Sequence, residues 1–193
     1  DRTIPHSIRT EPLARGEEAP VTRRTEVVIV GSGFSGLGAA IPLKQIGIDD
    51  FAVLEKGEDV GGTWRENDYP GLAVDMPSFI YSYPFAMSPE WSRVYAPASE
   101  IRGYAHDCAE RYGVRPHIRF QCGVERAEYD AQENLWRIYT DNGEVFLSRY
   151  LVTATGLFAE PRMPAIEGLD TFAGRLLHSA HWDHGYDVTG KRV

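Results

Sequence analysis

Cysteine is scarce in this chain: Cys108 and Cys122 are the only two in 193 residues, and they show no metal-ligand spacing. A disulfide framework and a cysteine-rich zinc module are thereby excluded, and a reduced, cytoplasmic protein is the expectation. No apolar run approaches the roughly 20 residues that a membrane span needs. Positive charge is also short, with 20 Lys and Arg against 28 Asp and Glu for a formal net charge of −8. Nucleic acid and anionic membrane surfaces are therefore poor partners. There is no internal repeat, low-complexity tract or signal-peptide pattern. Asp1 is not a start methionine, so a trimmed N-terminus is expected. What the chain does have is 42% hydrophobic residues, enough to build a sizeable core, of one domain or of one and a fragment.

Residues 1–24 carry Pro5, Pro12 and Pro20 among scattered charges and read as a loose N-terminal arm. Order is expected from Glu26 to Val30 (EVVIV), a β-branched apolar run suited to a buried parallel strand. A glycine-rich turn follows, then a helical segment from about Ser35 to Ile46 that Pro42 should kink, then a second strand over Phe51–Glu55. Residues 61–98 are rich in proline and aromatics and read as a long functional loop. Ser99 is placed as the N-cap of a helix with Ile101, Tyr104, Ala105, Cys108 and Tyr112 at helical spacing and Gly113 just past its end. Residues 118–129 read as extended. Asp141-Asn142-Gly143 marks a hairpin between Trp136–Thr140 and Glu144–Ser148, and Tyr150–Ala154 is a further strand. This order predicts an α/β, three-layer, Rossmann-like domain with a parallel sheet and an inserted antiparallel hairpin.

The chemistry begins at Gly31-Ser32-Gly33-Phe34-Ser35-Gly36, a G-x-G-x-x-G between a strand and a helix. The first glycine permits a tight turn, the second lets backbone approach a pyrophosphate, and the third lets helix and strand pack closely. The helix N-terminus then offers free N–H groups to the phosphates. Glu55, nineteen residues past Gly36 at the end of the second strand, can accept hydrogen bonds from ribose hydroxyls. A ligand-free glycine turn is the plain alternative; strand, helix and acid in that order favour the nucleotide, without separating FAD from NAD.

The next segment separates them by resemblance. Glu55 is followed by Gly61-Gly62-Thr63-Trp64, by Tyr69-Pro70-Gly71 and by Asp75. The chain closes with Phe172-x-Gly174-x-x-x-His178-x-x-x-Trp182-Asp183. Together these resemble the Baeyer–Villiger monooxygenases, flavoenzymes that insert one oxygen atom of O2 beside a ketone carbonyl. The resemblance covers most of residues 25–193. It implies FAD contacts at Gly31, Gly33, Phe34, Ser35, Gly36, Glu55, Lys56, Gly62, Thr63, Trp64, Asp75, Tyr81, Val124 and Gly156. Asp75 would stand beside the isoalloxazine ring and anchor an arginine there, a catalytic role. Phe172, Gly174, His178, Trp182 and Asp183 would form a linker that moves with the domains rather than a proton-transfer group. Plain packing for Trp64 and Tyr69 and turn capping for Asp75 are the bland readings of each residue taken singly. His178, His181 and His184 fall at intervals of three, but no accompanying carboxylate or cysteine pattern matches a metal loop.

The reaction the resemblance implies uses NADPH and O2 to turn a ketone into an ester or lactone. An N- or S-hydroxylating flavin monooxygenase is the nearest rival, opposed by Trp182-Asp183 and Asp75; a stand-alone flavin-binding module is the other. Residues 25–170 are expected to form the FAD-binding domain in part, and residues 171–193 a linker and the start of an NADP-binding unit. The glycine motif of that unit and the flavin-facing arginine are not in the chain. By itself the chain is expected to be inactive and to hold FAD weakly or not at all.

Overall fold

The computed structural model describes residues 21–88, 90–158 and 161–193. The expected arm over residues 1–20, with Pro5, Pro12 and Pro20, lies outside the described residues, as does Pro89. Strand β1 (Thr22–Val30) leads through the glycine turn into helix α1 (Phe34–Gln45), and β2 (Phe51–Leu54) follows. A one-turn helix α2 (Thr63–Glu66) opens the long loop, which ends at helix α3 (Ala98–Arg111). Then come β3 (Ile118–Arg119), β4 (Val124–Asp130), β5 (Leu135–Thr140) and β6 (Val145–Thr153). The sheet order is β3-β2-β1-β6-β5-β4, parallel from β3 to β6 and antiparallel from β6 to β4.

The three layers follow from the alternation of side chains along β1 and β2. Val27, Ile29, Phe51 and Val53 face the helices, packing with Leu37, Ala40 and Ile41 of α1 and with Tyr104, Ala105 and Cys108 of α3. Val28 and Leu54 face the other way and meet Cys122, Ile138 and Phe146 beneath the meander. Both faces of the parallel strands are thus covered, and Val28 and Ile29 are fully buried, each such side chain contributing about 1.5–3 kcal/mol. No helix among the described residues is long and apolar enough to cross a membrane.

Four expectations need correction. The arm was to reach residue 24, but β1 starts at Thr22, because residues 22–25 pair in parallel with Val145–Ser148 and Arg23 bonds Glu144 at 2.8 Å. The extended run over 118–129 is two strands: Gln121 takes a left-handed φ of 52°, and β3 and β4 leave for opposite edges of the sheet. The two strands expected around Arg149 are one, paired with β1 on both sides of Arg149. Ser99 is not the N-cap of α3; Pro97 is, its carbonyl accepting from Glu100 N and Ile101 N while Ala98 N is already bonded to Leu72 O. Pro42 does lie inside α1, yet the helix continues to Gln45. The hairpin stands as read, with Gly143 N bonded to Thr140 O.

Asp59 fastens α3 to the loop after β2. Its carboxylate meets Arg102 at 3.5 Å, His106 at 2.8 Å and Arg115 at 3.1 Å, and accepts Val60 N at 2.9 Å. Burial pushes its carboxyl up, but the Val60 N–H, the Arg115 hydrogen bond and the charges of His106 and Arg115 outweigh burial and hold it below the usual carboxylate range. A depressed carboxyl stabilises the fold above its unfolded value of about 3.9, and that stability is lost as pH falls through the lower folded value. Asp59→Asn is therefore expected to cost about 1–3 kcal/mol at pH 7. Thermal unfolding across pH should show the deficit narrowing toward pH 3.

Candidate functional site

Strands β1, β2 and β6 end together, and that rim carries the site. Gly31 N bonds Leu54 O at 2.8 Å and Ala154 N bonds Val30 O at 2.9 Å, so the chain leaves β1 wedged between its neighbours. Gly31 turns with φ 97°, and a Cβ there would stand 2.6 Å from Ala154 O. A Cβ on Gly36 would fall 1.9 Å from Gly31 O, which fixes how closely α1 lies on the turn. Gly33 is different. It is the N-cap of α1 with no side-chain cap, and a Cβ there would find only Gly62, at an ordinary 3.5 Å. Phe34 is partly buried and Ser35 exposed on the first turn of α1. The β1–β6 border is where the order of connections reverses, the position that binds nucleotides in open parallel sheets.

Glu55 sits just past β2 and is only 4% exposed. One carboxylate oxygen accepts Ser32 N at 2.8 Å and Ser32 Oγ at 2.7 Å; the other accepts Gly57 N at 2.8 Å and faces Arg65 Nη2 at 3.5 Å. Lys56, half-exposed, pairs with Glu66 at 3.4 Å. The residues after the acid fold back on the turn: Gly61 N bonds Ser32 O at 3.2 Å, and Gly62 faces Gly33. Thr63 then starts α2, and Trp64 Nε1 donates to Tyr81 Oη at 2.9 Å with the rings edge to face. Tyr81 also meets the Phe34 ring, centroids 5.1 Å apart, which ties this aromatic wall to α1.

Tyr69-Pro70-Gly71 is a turn closed by Leu72 N to Tyr69 O at 3.2 Å, with Gly71 at φ 80°, the type II pattern of Pro then Gly. Beyond it, Val74 N bonds Ala96 O and Ala73 bridges Pro97, so Val74 is buried against Ala96 and Ile101 while Asp75 is exposed. Gly156 lies two residues past Ala154 and is exposed. Val124 opens β4 opposite Thr140, beside a bulge, its side chain partly buried against the meander core.

The closing segment stands apart from this rim. Phe172 is 61% exposed and its ring lies over Gly174. His178 Nδ1 accepts Ala180 N at 3.1 Å, capping the 3-10 turn Ser179–His181. Trp182 and Asp183 are partly buried, and Asp183 pairs with Arg175 at 2.7 Å. His184 turns to Asp68 at 2.8 Å, away from the His178–His181 ring pair. Among the described residues no group of three or more His, Cys, Asp and Glu is placed to hold a metal ion. The fold brings Gly31, Gly33, Gly36, Glu55, Gly62, Trp64 and Tyr81 together. Two participants went unread in the sequence. Ser32 sits in a variable position of the glycine motif, and Arg65 lies inside the quoted block after Trp64.

Comparison with known proteins agrees with this fold. Residues 28–193 match the family described as pyridine nucleotide-disulphide oxidoreductase. A Baeyer–Villiger monooxygenase of Streptomyces coelicolor is 47% identical over 177 residues, covering 92% of this chain and 34% of that protein. A structure of a steroid monooxygenase bound to NADP superposes with a TM-score of 0.75 at 38% identity, covering 87% of this chain and 33% of the other. OTEMO in complex with FAD and NADP gives 0.72 at 37% identity, covering 86% and 31%. The chain spans about a third of the length of these relatives. It belongs to the pyridine nucleotide-disulphide oxidoreductase family, and within it the chain stands with the Baeyer–Villiger monooxygenases.

Proposed function

We propose that this chain is the FAD-binding part of an NADPH- and O2-dependent flavin monooxygenase acting on a ketone to give an ester or lactone. The observation that carries the reading is the closure of the Gly61-Gly62-Thr63-Trp64 loop onto the Gly31–Gly36 turn beside a buried Glu55. The site fits FAD on three counts. Gly33 leaves its Cβ position clear of everything but Gly62. The first turn of α1 has no side-chain cap competing for its N–H groups. Glu55 presents an acceptor at the end of β2, where a nucleotide ribose is held. Bound flavin supplies acceptance of hydride from NADPH and activation of O2.

The chain's own residues bind and orient. The N–H groups of the α1 turn take the pyrophosphate, Glu55 takes the ribose, and Trp64 and Tyr81, set edge to face, give an aromatic wall. Lys56, Thr63, Val124 and Gly156 complete the cofactor contacts that the resemblance assigns. Asp75, exposed in a bend of the loop, holds a cation near the reacting end of the flavin. The segment from Phe172 through Gly174 and His178 to Trp182 and Asp183 acts in domain movement. The ketone, O2 and NADPH complete the list of partners, and a cytoplasmic location goes with this chemistry.

Gly33 and Gly36 separate ligand binding from packing. In the full-length protein Gly33→Ala should leave thermal stability nearly unchanged but weaken FAD binding at least about tenfold. Gly36→Ala should instead destabilise the fold by about 1–3 kcal/mol through overpacking against Gly31 O. FAD titration and calorimetry measure the two. In the same protein Trp182→Ala should keep FAD bound yet slow flavin reduction by NADPH about tenfold or more. Asp75→Ala should leave reduction closer to normal and impair the oxygen-dependent steps. Stopped-flow absorbance separates them; loss of flavin from Trp182→Ala, with normal reduction per bound flavin, would assign Trp182 to packing.

A further inference from the structure

We infer that Arg65 is a positioning residue for the cofactor ribose, acting through Glu55; the inference rests on the FAD reading above. The side chain of Arg65 is only 16% exposed, although nothing in a one-turn helix requires a buried guanidinium. Its Nη2 stands between two carboxylates, 3.5 Å from Glu55 Oε1 and 3.2 Å from Glu66 Oε1. Its Nε is buried with no hydrogen-bond partner among the described residues. An orphaned N–H is costly, so the group is held in place by its two carboxylates against that cost.

The consequence falls on Glu55. Ser32 holds Oε2 with two hydrogen bonds, while Oε1 has one neutral donor, Gly57 N, and the guanidinium. Among the described residues Arg65 is the cation ion-paired with this nearly buried carboxylate, and together with Gly57 N it sets which way Oε1 points. It also compensates for the proximity of Glu66, whose other cation is Lys56 at 3.4 Å. The guanidinium lies flat against Gly57: a Cβ there would fall 2.2 Å from Nη2 and 2.3 Å from Cζ. Gly57 is thus the floor on which the arginine rests, and Gly57→Ala displaces the arginine without removing any charge.

The test is a double-mutant cycle read as FAD affinity of the full-length apoprotein, with thermal unfolding of the same cofactor-free samples as the check on folding. Arg65→Met and Glu55→Gln should each weaken FAD binding about tenfold. The double variant should bind little worse than the weaker single one, because both remove the same pairing. Arg65→Lys should restore most of the loss by returning the charge. Gly57→Ala should reproduce the Arg65→Met loss and add nothing to it in combination. Additive losses near a hundredfold, or an affinity untouched by Arg65→Met, would overturn the inference. A loss that Lys does not restore and that tracks a fall in melting temperature would overturn it too, in favour of plain packing. A native protein that binds no FAD would instead defeat the reading of the site itself.

Discussion

Everything in this molecule depends on how closely helix α1 lies against the end of strand β1. The missing Cβ of Gly36 sets that distance, since any side chain would collide with the carbonyl of Gly31. Because the helix lies so close, its N-terminus opens at the rim where β1, β2 and β6 end, rather than over the side of the sheet. Ser32 is then in reach of Glu55, and two hydrogen bonds tie the turn to the end of β2. The loop after Glu55 closes on the turn with Gly62 against Gly33, where a Cβ on Gly62 would come within 3.0 Å of Gly33 Cα. The three glycines divide the work: Gly31 turns, Gly36 packs, and Gly33 leaves room.

The aromatic wall is built on the same contact. Phe34 opens α1, so Tyr81 and Tyr83 that pack on it are positioned by the helix; Tyr83 Oη donates to Phe34 O at 2.6 Å. Trp64 reaches Tyr81 from the other side of the loop. A proline-rich stretch with little regular structure is thereby ordered by its ends and its rings. Its far end is pinned by the Ala73–Pro97 bridge, which also starts α3. The site and the helical layer therefore share their supports.

Much of this was legible in the sequence, for physical reasons that vary by element. The strand, glycine turn, helix and acid are local and follow one another, so spacing alone reveals them. The hairpin at Asp141–Gly143 is equally local. What stayed hidden depends on distant partners. Thr22–Thr25 become strand only because residues 145–148 lie beside them. The run after Ile118 splits because Gln121 N and Cys122 N are claimed by Gly57 O and Glu55 O. Ser99 looked like a cap, but a proline already held by the loop took the position. Ser32 and Arg65 carry no periodic signal; their part emerges only when the two oxygens of Glu55 are followed to their donors. The closing segment was read wholly by resemblance, and its side chains meet mainly one another.

The central claim is that this chain grips the adenylate half of FAD, through the α1 turn and Glu55. Calorimetric titration of the full-length apoprotein with FAD and, separately, with FMN tests it most directly, because FMN keeps the isoalloxazine ring and one phosphate but lacks the adenylate. The account predicts that FMN binds at least about a hundredfold more weakly, since the lost pyrophosphate and ribose bonds are charge-assisted. Equal affinities for FAD and FMN would contradict it.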